Sequence, residues 1–217
     1  MSRAILTSLL LTAGAAASST AEAQEPRIHW HVMGGYSEPL GTTANYLQGG
    51  YIVGGGFTVA PSNNSPLDFR FDASYSEHNA TNNLLNINQQ ATNTQIDNGT
   101  GSFWSGTGNL EFHVPIIYGV RGYGIAGIGV YHARVELTQA VPYGYGYYYC
   151  DPFSGFCDGG GNALVASEGV TKFGWNAGVG LEFALPYGQS WFIEARYHRI
   201  NTDTPIEYVP IEIGYRF

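Results

Sequence analysis

The sequence predicts an all-β protein, an eight-stranded antiparallel up-and-down transmembrane β-barrel. Apolar and polar residues alternate with a period of two over eight segments, which is typical of strands whose faces meet different surroundings. The last segment, residues 209–217, carries its charges on one face and ends in an aromatic residue. The chain has 30 glycines and 16 tyrosines but only one lysine, Lys172, whereas soluble domains normally carry many surface lysines.

The amino-terminal residues predict export. Arg3 precedes an apolar stretch, residues 4–17, that is too short to span a bilayer as a helix, and the triplet 21–23 (Ala-Glu-Ala) has the form of a cleavage site. We therefore expect a signal peptide over residues 1–23 and an outer-membrane β-barrel domain over residues 24–217. The net charge of −8 and the lack of a basic run argue against a nucleic-acid partner.

The first four strands are predicted at residues 28–36, 51–59, 67–76 and 104–114. The first alternates apolar residues with histidine and glycine, and the second has glycine and threonine on its inner face, which suits a narrow barrel. The third shows the clearest alternation, with aromatic residues opposite acids and an arginine. The fourth ends where Pro115 breaks the pattern.

The last four strands are predicted at residues 123–137, 172–183, 191–198 and 209–217. Each places aromatic or aliphatic residues on one face and polar or charged residues on the other. In the fifth, the odd-numbered residues are expected to face outward. Pro210 cannot donate a backbone hydrogen bond, so we expect a bulge or an interruption there, near the outer rim.

The connections predict the orientation of the barrel. Three short segments that contain proline, residues 60–66, 115–117 and 186–190, are expected to be periplasmic turns. Two long segments, residues 77–101 and 138–169, are expected to be external loops, because outer-membrane barrels combine short periplasmic turns with longer outer loops.

Charge placement predicts which face meets lipid. Ionised residues gather on one face of the strands, and an Arg or Lys on the lipid face at the midplane would cost about 2–4 kcal/mol. This favours a membrane barrel over a soluble, lipocalin-like barrel with an apolar pocket. The residues expected to form a charge network in the lumen are Asp68, Arg70, Asp72, Glu111, Arg134, Glu136, Glu182, Glu194, Arg196, Glu212 and Arg216. The aromatic residues expected in the lipid-facing girdles are Trp30, Tyr36, Trp104, Tyr123, Tyr131, Trp175, Trp191 and Tyr215.

The chain resembles the small outer-membrane β-barrel domain of the OmpA-like and opacity-protein group. The resemblance is carried by residues 29–36, the glycine-rich second strand, residues 126–131, residues 173–180 and the ending 214–217. It implies an eight-stranded barrel in the outer membrane of a Gram-negative bacterium, acting as a surface antigen, adhesin or envelope stabiliser. The implied partners are outer-membrane lipid, lipopolysaccharide and the barrel-insertion machinery, which would bind the strand ending at Phe217.

The inward-facing polar residues allow several interpretations. An eight-stranded lumen is just wide enough to be filled by side chains, so we expect a plugged interior and keep a narrow passive diffusion pore as the alternative. Five histidines are predicted to face the lumen: His29, His31, His113, His132 and His198. We expect no metal site, because no carboxylate or cysteine completes a ligand pattern, and no cofactor. An envelope-lipid-modifying enzyme is a further, less favoured alternative, because no histidine is predicted to face lipid.

The strongest functional signal is a tyrosine- and glycine-rich segment in the second long loop. Its aromatic residues are candidates for an interaction surface: Tyr143, Tyr145, Tyr147, Tyr148, Tyr149, Phe153 and Phe156. Cys150 and Cys157 lie close together in an exported chain, where a disulfide between them is permitted. The other interpretation is that this loop only caps the barrel. The sequence thus predicts a monomeric, non-catalytic surface protein that acts through its external loops on a host or glycan ligand.

Overall fold

The computed structural model describes residues 27–62, 65–92, 95–140, 149–150, 157–158 and 162–217. The predicted signal peptide lies outside these residues. The strands are β1 Arg27–Leu40, β2 Leu47–Ala60, β3 Leu67–Ala80, β4 Asn98–Ile117, β5 Val120–Ala140, β6 Tyr149–Cys150, β7 Cys157–Asp158, β8 Asn162–Ala184, β9 Ser190–Ile200 and β10 Ile206–Arg216. A helix α1 covers Asn82–Thr92, and short 3₁₀ turns cover Thr43–Asn45 and Pro186–Gly188. In the described part of the chain, no helix is both long and apolar enough to cross a membrane.

Eight of these strands form a closed antiparallel barrel in the order β1-β10-β9-β8-β5-β4-β3-β2. The ring closes between the first and last strands, where Val32 lies opposite Tyr215 and Tyr36 opposite Ile211. Because each strand is antiparallel to its neighbour in the ring, the start of β1 and the end of β10 lie at the same end of the barrel. The predicted eight-stranded up-and-down barrel is confirmed.

The barrel is inverted relative to a soluble protein, because most of its large apolar residues face outward and charged residues face the interior. Phe69 and Phe71 are 47% and 44% exposed, whereas Arg70 between them is completely buried. The same inversion holds in β10, where Ile211 and Ile213 are exposed and Glu212 is buried. A continuous apolar outer surface around a charged interior is stable only when hydrocarbon covers the outside, so the strands span a membrane.

Short connections lie at one end of the barrel, called here the turn end. They cover residues 61–66, 118–119 and 185–189. The turns predicted at 60–66 and 186–190 are close to these positions, but the prediction of a turn at 115–117 was wrong, because β4 continues through Pro115, which lies opposite Arg121. The tightest joins β4 to β5 through two residues, and Gly119 adopts a φ of +78°, which glycine reaches without strain. The opposite end, called here the loop end, carries the connections at residues 41–46, 81–97, 141–161 and 201–205.

The two long loops are shorter than predicted. The segment predicted as the loop 77–101 is only residues 81–97, because β3 continues to Ala80 and β4 begins at Asn98. The loop predicted at 138–169 shortens to residues 141–161 for the same reason. In these strand ends apolar residues no longer alternate regularly with polar ones, so the sequence pattern gives a weaker strand signal there.

Pro210 interrupts the sheet without shifting it. Pairs between β10 and β9 stop at Tyr208 and resume at Ile211, opposite Ala195, in the same register. On its other side, Pro210 lies opposite Ser37 of β1. The predicted interruption is therefore present and no bulge accompanies it.

The fifth strand, β5, faces the opposite way from the prediction. Tyr123 and Tyr131 are buried in the lumen, so their prediction as girdle residues was wrong. Glycines on the neighbouring β8 make room for them, since a Cβ on Gly180 or Gly174 would lie within 3 Å of the ring of Tyr123 or Tyr131. The other aromatic residues predicted for the girdles are on the outer face, and most are well exposed: Trp30, Tyr36, Trp104, Trp175, Trp191 and Tyr215.

Candidate functional site

The middle of the lumen is filled by two arginines and two carboxylates, called here the central ion-pair layer: Arg70, Asp72, Glu194 and Arg196. Arg70 donates to Asp72 Oδ1 and Glu194 Oε2, at 2.9 Å each. Arg196 donates to Asp72 Oδ2 at 2.8 Å and also bonds Glu194. All four residues are buried. Each charge thus has two partners of opposite sign, which offsets much of the cost of removing it from water.

Neutral side chains complete this layer across the barrel. The hydroxyl of Tyr123 donates to Glu194 at 2.8 Å, and the amide of Asn109 donates to Asp72 at 2.9 Å. His31 Nε2 lies 2.7 Å from Asp72 Oδ1. The ring of Phe192 lies 4.9 Å from the guanidinium carbon of Arg70. Side chains from several strands therefore meet at the barrel axis and close the cross-section.

A second group of charges lies nearer the turn end and is called here the turn-end cluster: Asp68, Glu111, His113, Glu182 and Arg216. Arg216 Nη2 contacts both Glu111 oxygens at 3.0 and 3.2 Å, and its Nη1 lies 3.4 Å from Glu182 Oε2. His113 Nε2 lies 3.2 Å from Asp68 Oδ2 and 3.4 Å from Glu111 Oε1. Ser190 donates to Glu182 at 2.6 Å.

The loop end of the lumen is apolar, in contrast to the layers below it. A buried set, called here the aromatic layer, consists of Phe103, Tyr131, Ile200 and Tyr208. The ring of Tyr208 stacks on Phe103 at 5.5 Å and on His198 at 4.9 Å. Above it opens a cavity of about 400 Å³. This loop-end cavity is lined in part by Leu47, Leu84, Phe103, Val135, Val170 and Ile206.

Nine of the eleven residues predicted for the lumen charge network lie in the barrel interior: Asp68, Arg70, Asp72, Glu111, Glu182, Glu194, Arg196, Glu212 and Arg216. Glu212 is buried opposite Glu194 on the adjacent strand. The other two were wrong. Arg134 and Glu136 point outward and pair with each other at 2.9 Å, with side chains 49% and 37% exposed, because β5 has the opposite face inward.

The histidines also differ from the prediction. His31, His113 and His198 are buried in the lumen, and His29 is partly buried. His132 is exposed on the outer face, where its Nδ1 lies 2.9 Å from Thr171 Oγ1. His78 was missed because β3 was predicted to end before it, yet it is buried against Phe103 and Tyr208. Continuing the period of two beyond Ser76 would have found it.

We expected no metal site because no carboxylate completed a ligand pattern in the sequence, but the structure places two carboxylates beside a lumen histidine. Glu111 lies two residues before His113 on the same face of β4, and the ring order brings Glu182 of β8 beside them. The donor atoms of the three residues all lie within 4.8 Å of one another. Spacing along the chain does not show this arrangement, since the two glutamates are far apart in sequence and meet only across the lumen.

The predicted aromatic surface of the second long loop lies largely outside the described residues. This applies to Tyr143, Tyr145, Tyr147, Tyr148, Phe153 and Phe156. Tyr149 is described only as part of β6, which pairs with β7 so that Cys150 lies opposite Cys157. The predicted disulfide and the interaction role of these residues remain predictions.

Comparison with solved structures finds the same architecture in bacterial outer-membrane proteins. Neisserial surface protein A is 11% identical, with a TM-score of 0.51, over 89% of this chain and 98% of that protein. A major outer membrane protein from Thermus thermophilus is 10% identical, with a TM-score of 0.55, over 89% of this chain and all of that protein. No protein-family model and no curated protein sequence matches the chain. With its ring of eight strands, its charged interior and its apolar outer surface, the chain has the fold of the small outer-membrane β-barrel proteins.

Proposed function

We propose that the protein is a non-catalytic outer-membrane barrel that acts at the cell surface through its loop end and does not conduct solutes. The observation that carries this proposal is the central ion-pair layer. Arg70, Asp72, Glu194 and Arg196 meet on the barrel axis at hydrogen-bonding distance, and all are buried. Opening a pore would break several of these buried contacts at once, which is strongly unfavourable.

The loop end is the region suited to recognition. It presents the loop-end cavity, and it carries the tyrosine- and glycine-rich loop of residues 141–161, whose composition is favoured in recognition surfaces. A disulfide between Cys150 and Cys157 would restrict this loop, and the opposed positions of the two residues in β6 and β7 support it. The proposed ligand class is a host-surface or glycan molecule.

The same proposal includes the cellular setting. Residues 1–23 direct export, the barrel resides as a monomer in the outer membrane of a Gram-negative bacterium, and its outer surface contacts lipid and lipopolysaccharide. The regular strand that ends at Phe217 is the element the barrel-insertion machinery would bind. The exposed aromatic and aliphatic residues of β10, such as Ile211 and Ile213, support this placement.

The proposal is tested by conductance and binding on the same refolded protein. In planar bilayers, the wild type is expected to show no discrete openings. A variant in which residues 141–161 are replaced by a short turn is expected to lose binding to cells or glycan arrays while keeping its fold. A matched control alters the turn end at residues 61–66 and should bind as the wild type does. Steady single-channel openings of the wild type, or binding independent of residues 141–161, would contradict the proposal.

The lipid-modifying alternative needs its own test, because His132 faces outward, against the prediction. Its ring contacts Thr171, and among the described residues no carboxylate lies within ion-pair distance of it to complete a catalytic triad. Mass analysis of lipid A from cells expressing the protein is expected to show the same species as cells without it. A new species that disappears in a His132→Gln variant would favour an enzyme instead.

A further inference from the structure

The turn-end cluster contains a histidine, His113, whose ring nitrogens lie near carboxylates but form no hydrogen bond with good geometry in the described part of the chain. His113 is only 7% exposed, and neither of its ring nitrogens makes a hydrogen bond to the described residues. Carboxylate oxygens nevertheless approach both nitrogens: Glu111 Oε1 lies 3.4 Å from Nε2, and Glu182 Oε2 lies 3.7 Å from Nδ1. A buried imidazole without hydrogen bonds is unfavourable, so a bound group that contacts its nitrogens would stabilise it.

The distances in this cluster match those between ligands of one metal ion. Four ligands placed tetrahedrally at about 2.0–2.1 Å from a zinc ion are separated from one another by about 3.3 Å. His113 Nε2 and Glu111 Oε1 are separated by 3.4 Å, and His113 Nε2 and Asp68 Oδ2 by 3.2 Å. The donor atoms of Glu111, His113 and Glu182 all lie within 4.8 Å of one another. Glu182 Oε2 approaches the other ring nitrogen, Nδ1, at 3.7 Å, so its carboxylate has to turn toward Nε2 to share an ion bound there.

The local charge also favours a cation. Three carboxylates, those of Asp68, Glu111 and Glu182, meet Arg121 and Arg216. Arg70 Nη1 also lies 4.0 Å from Glu111 Oε2, but Arg70 binds Asp72 and Glu194 more closely, at 2.9 Å each. Arg121 is half-exposed, and in the described part of the chain no arginine or lysine nitrogen lies within 4.0 Å of Asp68. Arg216 leaves acceptor positions unused on Glu111 and Glu182, because each carboxylate offers about four lone-pair positions. Because Arg70 is shared with the central ion-pair layer and Arg121 is half-exposed, these carboxylates are incompletely balanced, and a further positive charge would stabilise them.

We propose that the turn-end cluster binds one divalent transition-metal ion of the zinc class through Glu111, His113 and Glu182, with Asp68 as an adjacent fourth ligand. One imidazole with carboxylates is a ligand set for zinc and its neighbours, whereas calcium and magnesium prefer oxygen ligands alone. The ion enters from the turn end, where the side chain of Asp68 retains 13% exposure. This site is independent of the recognition surface proposed for the loop end.

The test is metal titration of the refolded barrel after treatment with a chelator. Calorimetry with Zn²⁺ is expected to show one equivalent bound, and Co²⁺ is expected to give visible absorption bands of a tetrahedral site. His113→Gln should lower the Zn²⁺ affinity at least tenfold and abolish the Co²⁺ bands. Glu182→Gln should weaken binding as well, which keeps the test decisive if one variant refolds poorly. Circular dichroism verifies the fold of each variant.

His132→Gln is the matched control, because it removes an imidazole from the outer face and leaves the turn-end cluster intact. It should bind Zn²⁺ as the wild type does. The proposal is overturned if the wild type binds neither Zn²⁺ nor Co²⁺ at neutral pH. It is equally overturned if His113→Gln binds as tightly as the wild type, or if Ca²⁺ or Mg²⁺ displaces Zn²⁺ at equal concentration.

Discussion

The central ion-pair layer and the aromatic layer fill the same narrow lumen in opposite ways. In the first, charged groups from β3 and β9 share several hydrogen bonds, so each side chain has one permitted position. In the second, Phe103, Tyr131 and Tyr208 pack mainly through their rings, with one hydrogen-bond contact of 3.0 Å between the Tyr131 hydroxyl and His198 Nδ1, and they leave the loop-end cavity above them. The central ion-pair layer therefore closes the barrel, whereas the aromatic layer leaves room for adaptation at the loop end. The polar layer fixes the fold, and the apolar layer tolerates change.

The largest expected effect comes from breaking the central ion-pair layer. Glu194→Ala removes the carboxylate that Arg70, Arg196 and Tyr123 all contact, and it leaves buried guanidinium groups short of a partner. Losing one partner of a buried pair costs about 3–5 kcal/mol in the free energy of unfolding. Denaturant unfolding of the barrel in lipid vesicles measures this cost. A loss below about 1 kcal/mol, as expected of exposed ion pairs, would mean that water reaches this layer.

The next largest effect is expected when a charged side chain is placed one residue further along β3, on the outer face of the barrel. Phe71 follows Arg70 but lies on the outer face, where it is 44% exposed. Phe71→Arg places a charge in hydrocarbon and is expected to cost about 2–4 kcal/mol in the free energy of unfolding if the residue is near the midplane. Phe71→Leu is the control and should cost much less. If Phe71→Arg were neutral in lipid vesicles, the outer face would not be covered by hydrocarbon at this level.

A smaller effect is expected in the aromatic layer. Phe103→Leu keeps an apolar side chain beside the loop-end cavity and should destabilise the barrel by about 1 kcal/mol, a typical value for a single substitution. The same unfolding measurement applies, and bilayer conductance should stay silent because the central ion-pair layer is untouched. A cost equal to that of Glu194→Ala would show that the two layers are equally rigid, which would remove the contrast between them.

The sequence was sufficient for the architecture and for most of the interior. Where a strand carries both charges and bulky apolar residues, as around Arg70 and Glu212, lipid on one side and a packed lumen on the other force a single orientation. The extended strand ends gave a weaker signal, because apolar residues no longer alternate regularly with polar ones there. His78 lies in such an extension, and only continuing the period of two beyond Ser76 would have placed it in the lumen.

The orientation of β5 needed information from a neighbouring strand. Its glycines leave both faces with small residues, so Tyr123 and Tyr131 suit a girdle as well as a lumen by their own strand's pattern. The deciding feature is on β8, where Gly174 and Gly180 leave the space that the inward tyrosines occupy. Likewise, Glu111 and His113 share one face of β4, but the approach of Glu182 to them is set by the ring order of strands, which no single segment contains.

The smallest expected effect follows from that reversed strand. Arg134 and Glu136 form an ion pair like those of the central layer, yet both side chains are substantially exposed. Arg134→Ala should therefore change the free energy of unfolding by about 1 kcal/mol or less, because solvent screens exposed pairs and also hydrates the partner left behind. Glu136→Ala should match it, and raising the salt concentration should reduce both effects. A loss of stability as large as that of Glu194→Ala would indicate that Arg134 lies in the lumen and that β5 has the opposite orientation. In that case Tyr123 could not donate to Glu194, so Tyr123→Phe, which otherwise weakens the central layer, would become neutral.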